Sequence, residues 1–235
     1  MSGPWGADSD GVVGREARKS EPAFNAPWPL LLLIAILIAA HGLRLWLGVG
    51  PDAFALSAGD LAGGRWAGLV THLFVHASWA HVLMNSVFIL AFGAPVSRFL
   101  RTDALGAFVF WLFFVVCGVL AGAGYAGTAA LLAKAGLASP DWALVGASGA
   151  ASGLMGAAAR LIEGRGRLGS LTGRTVLAMS VAWIGINVVL GLTGLTPGTE
   201  GAPVAWQAHI IGYFAGLFLI APFAWAAGVH ADMTQ

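Results

Sequence analysis

Four side chains in this sequence have the types and positions that acyl transfer requires. Ser148 follows two small residues at the start of an apolar run, His209 lies in a second apolar run, and His81 and Asn85 are four residues apart in a third. A serine hydroxyl becomes a nucleophile when neutral imidazole takes its proton. The oxyanion then needs donors, which Asn85, His81 and the backbone N–H of Ser148 can supply. The pattern predicts a Ser148/His209 dyad with an oxyanion hole.

The composition indicates that these residues lie in a membrane. The chain has 235 residues, of which 58% are hydrophobic and only 10% charged, too few charges to cover a water-soluble surface. The net charge of +1, with no long basic block, argues against nucleic-acid binding. The single cysteine, Cys117, excludes an intramolecular disulfide and a thiolate metal cluster. The expected partners are the lipid bilayer and other membrane proteins.

Six apolar segments are predicted to span the membrane, since a spanning helix needs roughly 20 apolar residues. The predicted spans are 28–49, 80–99, 104–124, 146–162, 174–194 and 205–228. The fourth is short and consists almost wholly of Ala, Gly and Ser, which favours the middle of the bundle. The sequence therefore predicts an all-α membrane protein with a six-transmembrane-helix domain over 27–229. Residues 1–26 are expected to form a flexible N-terminal tail and 230–235 a short C-terminal tail.

The distribution of basic residues predicts the direction of the spans. Nine Lys and Arg residues fall on the side of the N-terminal tail, and three fall on the other side: Arg44, Arg65 and Lys134. By the positive-inside rule both termini are cytoplasmic, and spans two, four and six run from outside to inside. The candidate residues then lie within about two turns of the outer ends of their helices, at similar depth.

Other membrane chemistries fit the sequence less well. A metalloprotease motif of the His-Glu-x-x-His type needs a Glu that "HLFVH" at 72–76 lacks. Asp103 and Asp141 fall at span ends, where they do not form an intramembrane aspartyl pair. His72 and His76 are interpreted as interfacial loop residues with access to the cavity. No inverted repeat or embedded acid favours a transporter. No metal or cofactor is expected, and metal binding by His72, His76 and His81 is the lesser alternative, since no other type of ligand accompanies them.

Three separate motifs resemble those of the rhomboid intramembrane serine proteases over roughly residues 60–220. "GASG" at 146–149, with Gly156 beyond it, is similar to the family's nucleophile motif. "AHIIGYFAG" at 208–216 is similar to the motif that carries the family's catalytic His. "HLFVHASWAHVLMN" at 72–85 resembles the first-loop and second-helix signature, whose last His and Asn line the oxyanion hole.

The resemblance implies a six-helix core, an outward-opening cavity and a dyad without Asp. It also implies that Gly212 and Gly216 let span six approach span four, where Gly149 and Gly156 are further close-packing positions. The chain departs from the family twice. Gly68 stands where a loop Arg is expected after Trp, which predicts weaker anchoring of the first loop. Ser152 replaces an aromatic residue that stacks on the catalytic His, which predicts a less tightly oriented His209.

The residues predict a serine hydrolase in the membrane, and the resemblance implies an intramembrane endopeptidase that cleaves single-pass membrane proteins near the outer face of the membrane. The alternative is a proteolytically inactive rhomboid-like protein that binds membrane helices as a receptor or chaperone. In span five, Trp183 and Asn187 fit either the border of lateral substrate entry or simple packing. A multi-pass protein of the bacterial inner membrane is expected, and the sequence leaves the oligomeric state open.

Overall fold

The computed structural model describes residues 25–137, 139–194 and 205–230, which form eight α-helices. The helices are α1 Trp28–Trp46, α2 Ala58–Ala62, α3 Gly68–Thr71, α4 Trp79–Phe99, α5 Ala104–Lys134, α6 Ser148–Glu163, α7 Arg174–Thr193 and α8 Trp206–Ala226. Short 3-10 helices cover Pro51–Ala53 and His72–Phe74. The predicted tails, 1–26 and 230–235, lie outside the described residues except for 25, 26 and 230.

Five of the helices are long and apolar enough to cross a membrane: α1, α4, α5, α7 and α8. The chain is therefore a multi-pass membrane protein with an all-helical fold. The helix predicted as the fourth span, α6, has only 16 residues. A sixth crossing and the cytoplasmic placement of the termini stay predictions.

Helix α5 is longer than its sequence prediction, which ended the third span at residue 124. The helix continues without a break to Lys134, so the predicted connection over 125–145 is wrong in its first half. The added segment is rich in Ala and Leu, which are strong helix formers. Two residues after the helix end, Gly136 has a left-handed φ of +72°, and Leu137 donates its N–H to the Leu132 carbonyl at 2.9 Å, which closes the last turn. Membrane thickness sets the length of about 20 residues that a span needs, but it does not set where the helix ends.

Helix α6 occupies the centre of the bundle, as its small side chains predicted. Twelve of its residues are buried, and it packs against α4, α5, α7 and α8. A Cβ added to Gly212 would overlap the Gly149 carbonyl oxygen, and one added to Gly216 would overlap the Gly153 carbonyl. Because both contacts advance by four residues on each helix, α6 and α8 run parallel. Their backbones are close enough to touch.

Helix α4 runs in the same direction as α6. Its first turns lie beside Gly146, where an added Cβ would be 2.8 Å from His81 Nε2. Farther along α4, an added Cβ on Gly93 would be 3.1 Å from Leu154 Cδ1. The prediction that the second, fourth and sixth segments share one direction is thus confirmed by their packing.

The segment between α1 and α4 folds onto the same end of the bundle. Leu56 and Leu144 exchange backbone hydrogen bonds of 2.7 and 3.0 Å, which join this segment to the residues before α6. Arg44, in the last turn of α1 and 8% exposed, donates to the carbonyls of Val49 at 2.8 Å and His76 at 3.1 Å. The link between α1 and α4, which has Gly68 where the family resemblance predicts an Arg, is therefore anchored by Arg44 of α1.

Candidate active site

Ser148 is the first residue of α6 and follows a sharp turn at Gly146. The φ of Gly146 is +109°, a conformation that residues with a Cβ rarely adopt. Its N–H donates to the His72 carbonyl at 2.9 Å, and the N–H of Ala147 donates to His76 Nε2 at 3.4 Å. The backbone that precedes the serine is thus fixed by two histidines of the first loop.

His209 lies in the first turn of α8 and faces Ser148. Its Nε2 is 2.8 Å from Ser148 Oγ, although the two residues are 61 positions apart in the chain. The parallel packing of α6 and α8 explains the contact, because each helix brings its first turn to the same end. Both residues are partly exposed. The pair has the geometry of a hydroxyl that donates to an imidazole.

His81 and Asn85 lie one turn apart on α4 and face Gly146. An added Cβ there would be 2.8 Å from His81 Nε2 and 3.5 Å from Asn85 Nδ2. The backbone N–H of Ala77 approaches His81 Nδ1 at 3.4 Å. Asn85 Nδ2 is buried and has no hydrogen-bond partner among the described residues. The structure therefore brings all four predicted side chains to one end of the bundle.

The prediction that the His72 and His76 side chains have access to the cavity is wrong. They are 2% and 0% exposed, respectively. His72 Nδ1 is 2.7 Å from the Gly68 carbonyl, and the His76 ring lies 5.1 Å from the His81 ring. Burial, together with smaller contributions from the positive charges of His81, His41 and Arg44, lowers the pKa of His76 to about 3. A neutral His76 can accept the N–H of Ala147.

Asn187, on α7, is a contact of the candidate base that the sequence prediction did not assign. Its Oδ1 lies 2.7 Å from His209 Nδ1. From the sequence, Asn187 fits either the border of lateral substrate entry or helix packing, because a single Asn in an apolar helix does not indicate which group it contacts. Ser152, at the usual aromatic position, instead donates to the Ser148 carbonyl at 2.7 Å. The side chain that holds His209 Nδ1 is thus Asn187 on α7, and the Ser152 side chain turns to the α6 backbone instead.

The described residues contain no group of three His, Cys, Asp or Glu side chains placed to hold a metal ion. The closely spaced histidines face backbone groups instead, as the contacts of His72 and His76 show.

Comparison with known protein families matches a rhomboid domain to residues 63–226. The match covers α4 to α8 and more than half of the 235 residues. The chain belongs to the rhomboid family, whose members include intramembrane serine proteases. A search of curated proteins found no match.

Proposed function

We propose that this protein is an intramembrane serine endopeptidase with Ser148 as nucleophile and His209 as general base. The observation that carries the proposal is the 2.8 Å distance between Ser148 Oγ and His209 Nε2, which links two helices in the interior of a membrane protein. Polar side chains are costly in the bilayer and mark functional sites there. The membership in the rhomboid family agrees with this chemistry.

In the proposed reaction His209 takes the hydroxyl proton while Ser148 Oγ attacks the carbonyl carbon of a peptide bond. The tetrahedral intermediate collapses as the protonated imidazole gives its proton to the leaving amine. Water then attacks the acyl-enzyme, with His209 again as base, and releases the second product. The partial exposure of both residues supports access of water and substrate.

Three donors are proposed to stabilise the oxyanion. The N–H of Ser148 is at the start of α6, where backbone donors have no intrahelical acceptor. The approach of the Ala77 N–H to His81 Nδ1 favours a proton on Nε2, the nitrogen on the side of Gly146. Asn85 adds a buried amide whose Nδ2 has no partner among the described residues. An unpaired buried donor is unusual, and a developing oxyanion would pair it.

The proposed substrates are membrane proteins whose helix enters sideways between α4 and α7. Val176 and Asn187 are the buried residues of α7. Because so few of its side chains pack inside the bundle, α7 is proposed as the helix that a substrate can displace. Contact with α4 includes the rings of Phe88 and Trp183, whose centroids are 5.4 Å apart. Helical carbonyls are already hydrogen-bonded, so a substrate must unwind locally, and Gly, Ala or Pro near its outer end would help.

Purified wild type and Ser148→Ala in lipid vesicles, incubated with a fluorescently labelled membrane peptide, test the proposal. Wild type is expected to cleave the peptide and to be labelled by a fluorophosphonate probe, and Ser148→Ala is expected to do neither. Ser152→Ala is the matched control, because it removes a serine one turn away and leaves the dyad intact. Equal cleavage by wild type and Ser148→Ala would contradict the assignment of Ser148 as the nucleophile. Binding of the peptide without cleavage by wild type would favour the helix-binding alternative.

A further inference from the structure

Both ends of the Asn187 side-chain amide are hydrogen-bonded inside the bundle. The residue is 0% exposed. Its Nδ2 donates to the Trp183 carbonyl one turn back at 2.9 Å, and its Oδ1 lies 2.7 Å from His209 Nδ1. A buried amide that makes both bonds has one fixed orientation.

These contacts determine where the His209 proton lies. The Trp183 carbonyl can only accept, so the amide nitrogen must face it and Oδ1 must face His209. Because Oδ1 can only accept, Nδ1 of His209 must carry the proton. The other nitrogen, Nε2, is then unprotonated and accepts from Ser148 Oγ, as a general base must.

We infer that Asn187 is a positioning residue that fixes the tautomer and the ring orientation of His209. The inference rests on the proposed protease function. The two ends of its amide contact the Trp183 carbonyl and His209 Nδ1, so Asn187 acts on the reaction through the imidazole. Once His209 is protonated, Oδ1 continues to accept from Nδ1–H and stabilises the imidazolium. Asn fills the corresponding place in Cys-His-Asn proteases of unrelated fold.

The location of Asn187 makes the base dependent on a third helix. Ser148 is on α6 and His209 on α8, whereas Asn187 is on α7, beside the proposed entry of substrate. The Trp183 indole also lies 3.4 Å, N to O, from the His209 carbonyl. Placement of α7 therefore decides whether the imidazole is held in its active tautomer.

Kinetics of four proteins in vesicles test the inference: wild type, Asn187→Leu, Asn187→Asp and Ser180→Ala. Asn187→Leu keeps the size but lacks the acceptor, so kcat is expected to fall about tenfold with little change in KM. Asn187→Asp restores an acceptor and should recover most of the loss. Ser180→Ala is the matched control, because Ser180 Oγ lies 3.1 Å from Tyr213 OH and joins the same two helices away from the dyad.

Unchanged kcat in Asn187→Leu, or an equal loss in Ser180→Ala, would overturn the inference. Absence of cleavage by wild type would contradict the proposed function instead. In either case ¹⁵N NMR of labelled histidine reads the tautomer directly. Wild type should carry the His209 proton on Nδ1, and Asn187→Leu should shift it towards Nε2. A proton on Nε2 in folded wild type would overturn the inference whatever the activity.

Discussion

Gly216 lies directly against the backbone carbonyl of Gly153, with no space between them for a Cβ. Gly212 stands in the same relation to Gly149 one turn earlier. These contacts set the separation of α6 and α8, and the first turns of those helices carry Ser148 and His209. The distance between the candidate nucleophile and base therefore depends on the absence of two side chains.

Gly216→Ala is expected to destabilise the protein, because its methyl group would overlap a backbone atom that cannot rotate away. Overpacking of this kind typically costs about 1–3 kcal/mol. Thermal unfolding of the detergent-solubilised protein measures the loss. Gly185→Ala on α7 is the control, because an added Cβ there meets nothing within 4 Å. Equal melting temperatures of the two variants would contradict the close contact.

Arg44→Ala is expected to loosen the first loop and lower the free energy of unfolding. The change leaves the carbonyls of Val49 and His76 without their charged donor, and such a bond contributes about 1.5–3 kcal/mol. Arg44→Lys should recover only part of the loss, since one ammonium lacks the guanidinium fork.

The control for Arg44 is Arg65→Ala. Arg65 pairs with Asp60, but its side chain is 70% exposed, and an exposed pair contributes about 0–1 kcal/mol. Chemical unfolding of the three variants in micelles checks the order. A loss in Arg65→Ala as large as that in Arg44→Ala would show that Arg44 is not the anchor of the loop.

Asn85→Leu is expected to lower kcat by about 10²- to 10³-fold with little change in KM, as loss of an oxyanion donor does. The side chain keeps its approximate size, so packing of α4 should be preserved. Cleavage of the labelled membrane peptide gives both constants. Met84→Ala, at the adjacent and exposed position, should behave as wild type. An unchanged kcat in Asn85→Leu would remove Asn85 from the oxyanion hole.

The protein is expected to lose stability as the pH is lowered, partly because of His76, which lies in the link before α4. Its pKa is about 3 in the folded protein against 6.5 for the unperturbed group. Between these values the unfolded chain binds more protons, so the His76 contribution is fully present above pH 6.5 and is lost towards pH 3. The free energy of unfolding measured across this window should depend less steeply on pH in His76→Gln. An unchanged slope would contradict the burial of a neutral ring.

The helical segments and the parallel direction of three of them were predictable from local information. Long apolar runs, together with charge at their ends, indicate membrane helices whatever surrounds them. The central place of α6 was predictable for a similar reason, because a segment of Ala, Gly and Ser can bury its backbone against neighbours. The candidate site residues could be identified because ionisable and strongly polar side chains are rare in membrane-spanning segments. They are Ser148, His209, His81 and Asn85.

The end of α5 was not predictable from membrane thickness. The helix propensity of the Ala- and Leu-rich segment extends α5, and the left-handed conformation of Gly136 ends it. Both effects are local and do not depend on the thickness of the bilayer. The exposure of His72 and His76 was mispredicted because their burial depends on how the first loop folds against α6. Loop burial comes from contacts distant in sequence, which residue type alone does not report.

The sequence by itself determined a multi-pass helical membrane protein of the rhomboid family and the residues for which a hydrolytic role is proposed. Tertiary structure decided how those residues are held. Arg44 reaches the first loop from α1, and Asn187 reaches His209 from α7. Each contact depends on the rotation and separation of helices that are far apart in the chain. A single polar residue in an apolar helix has no periodic partner, so only packing shows which group it meets.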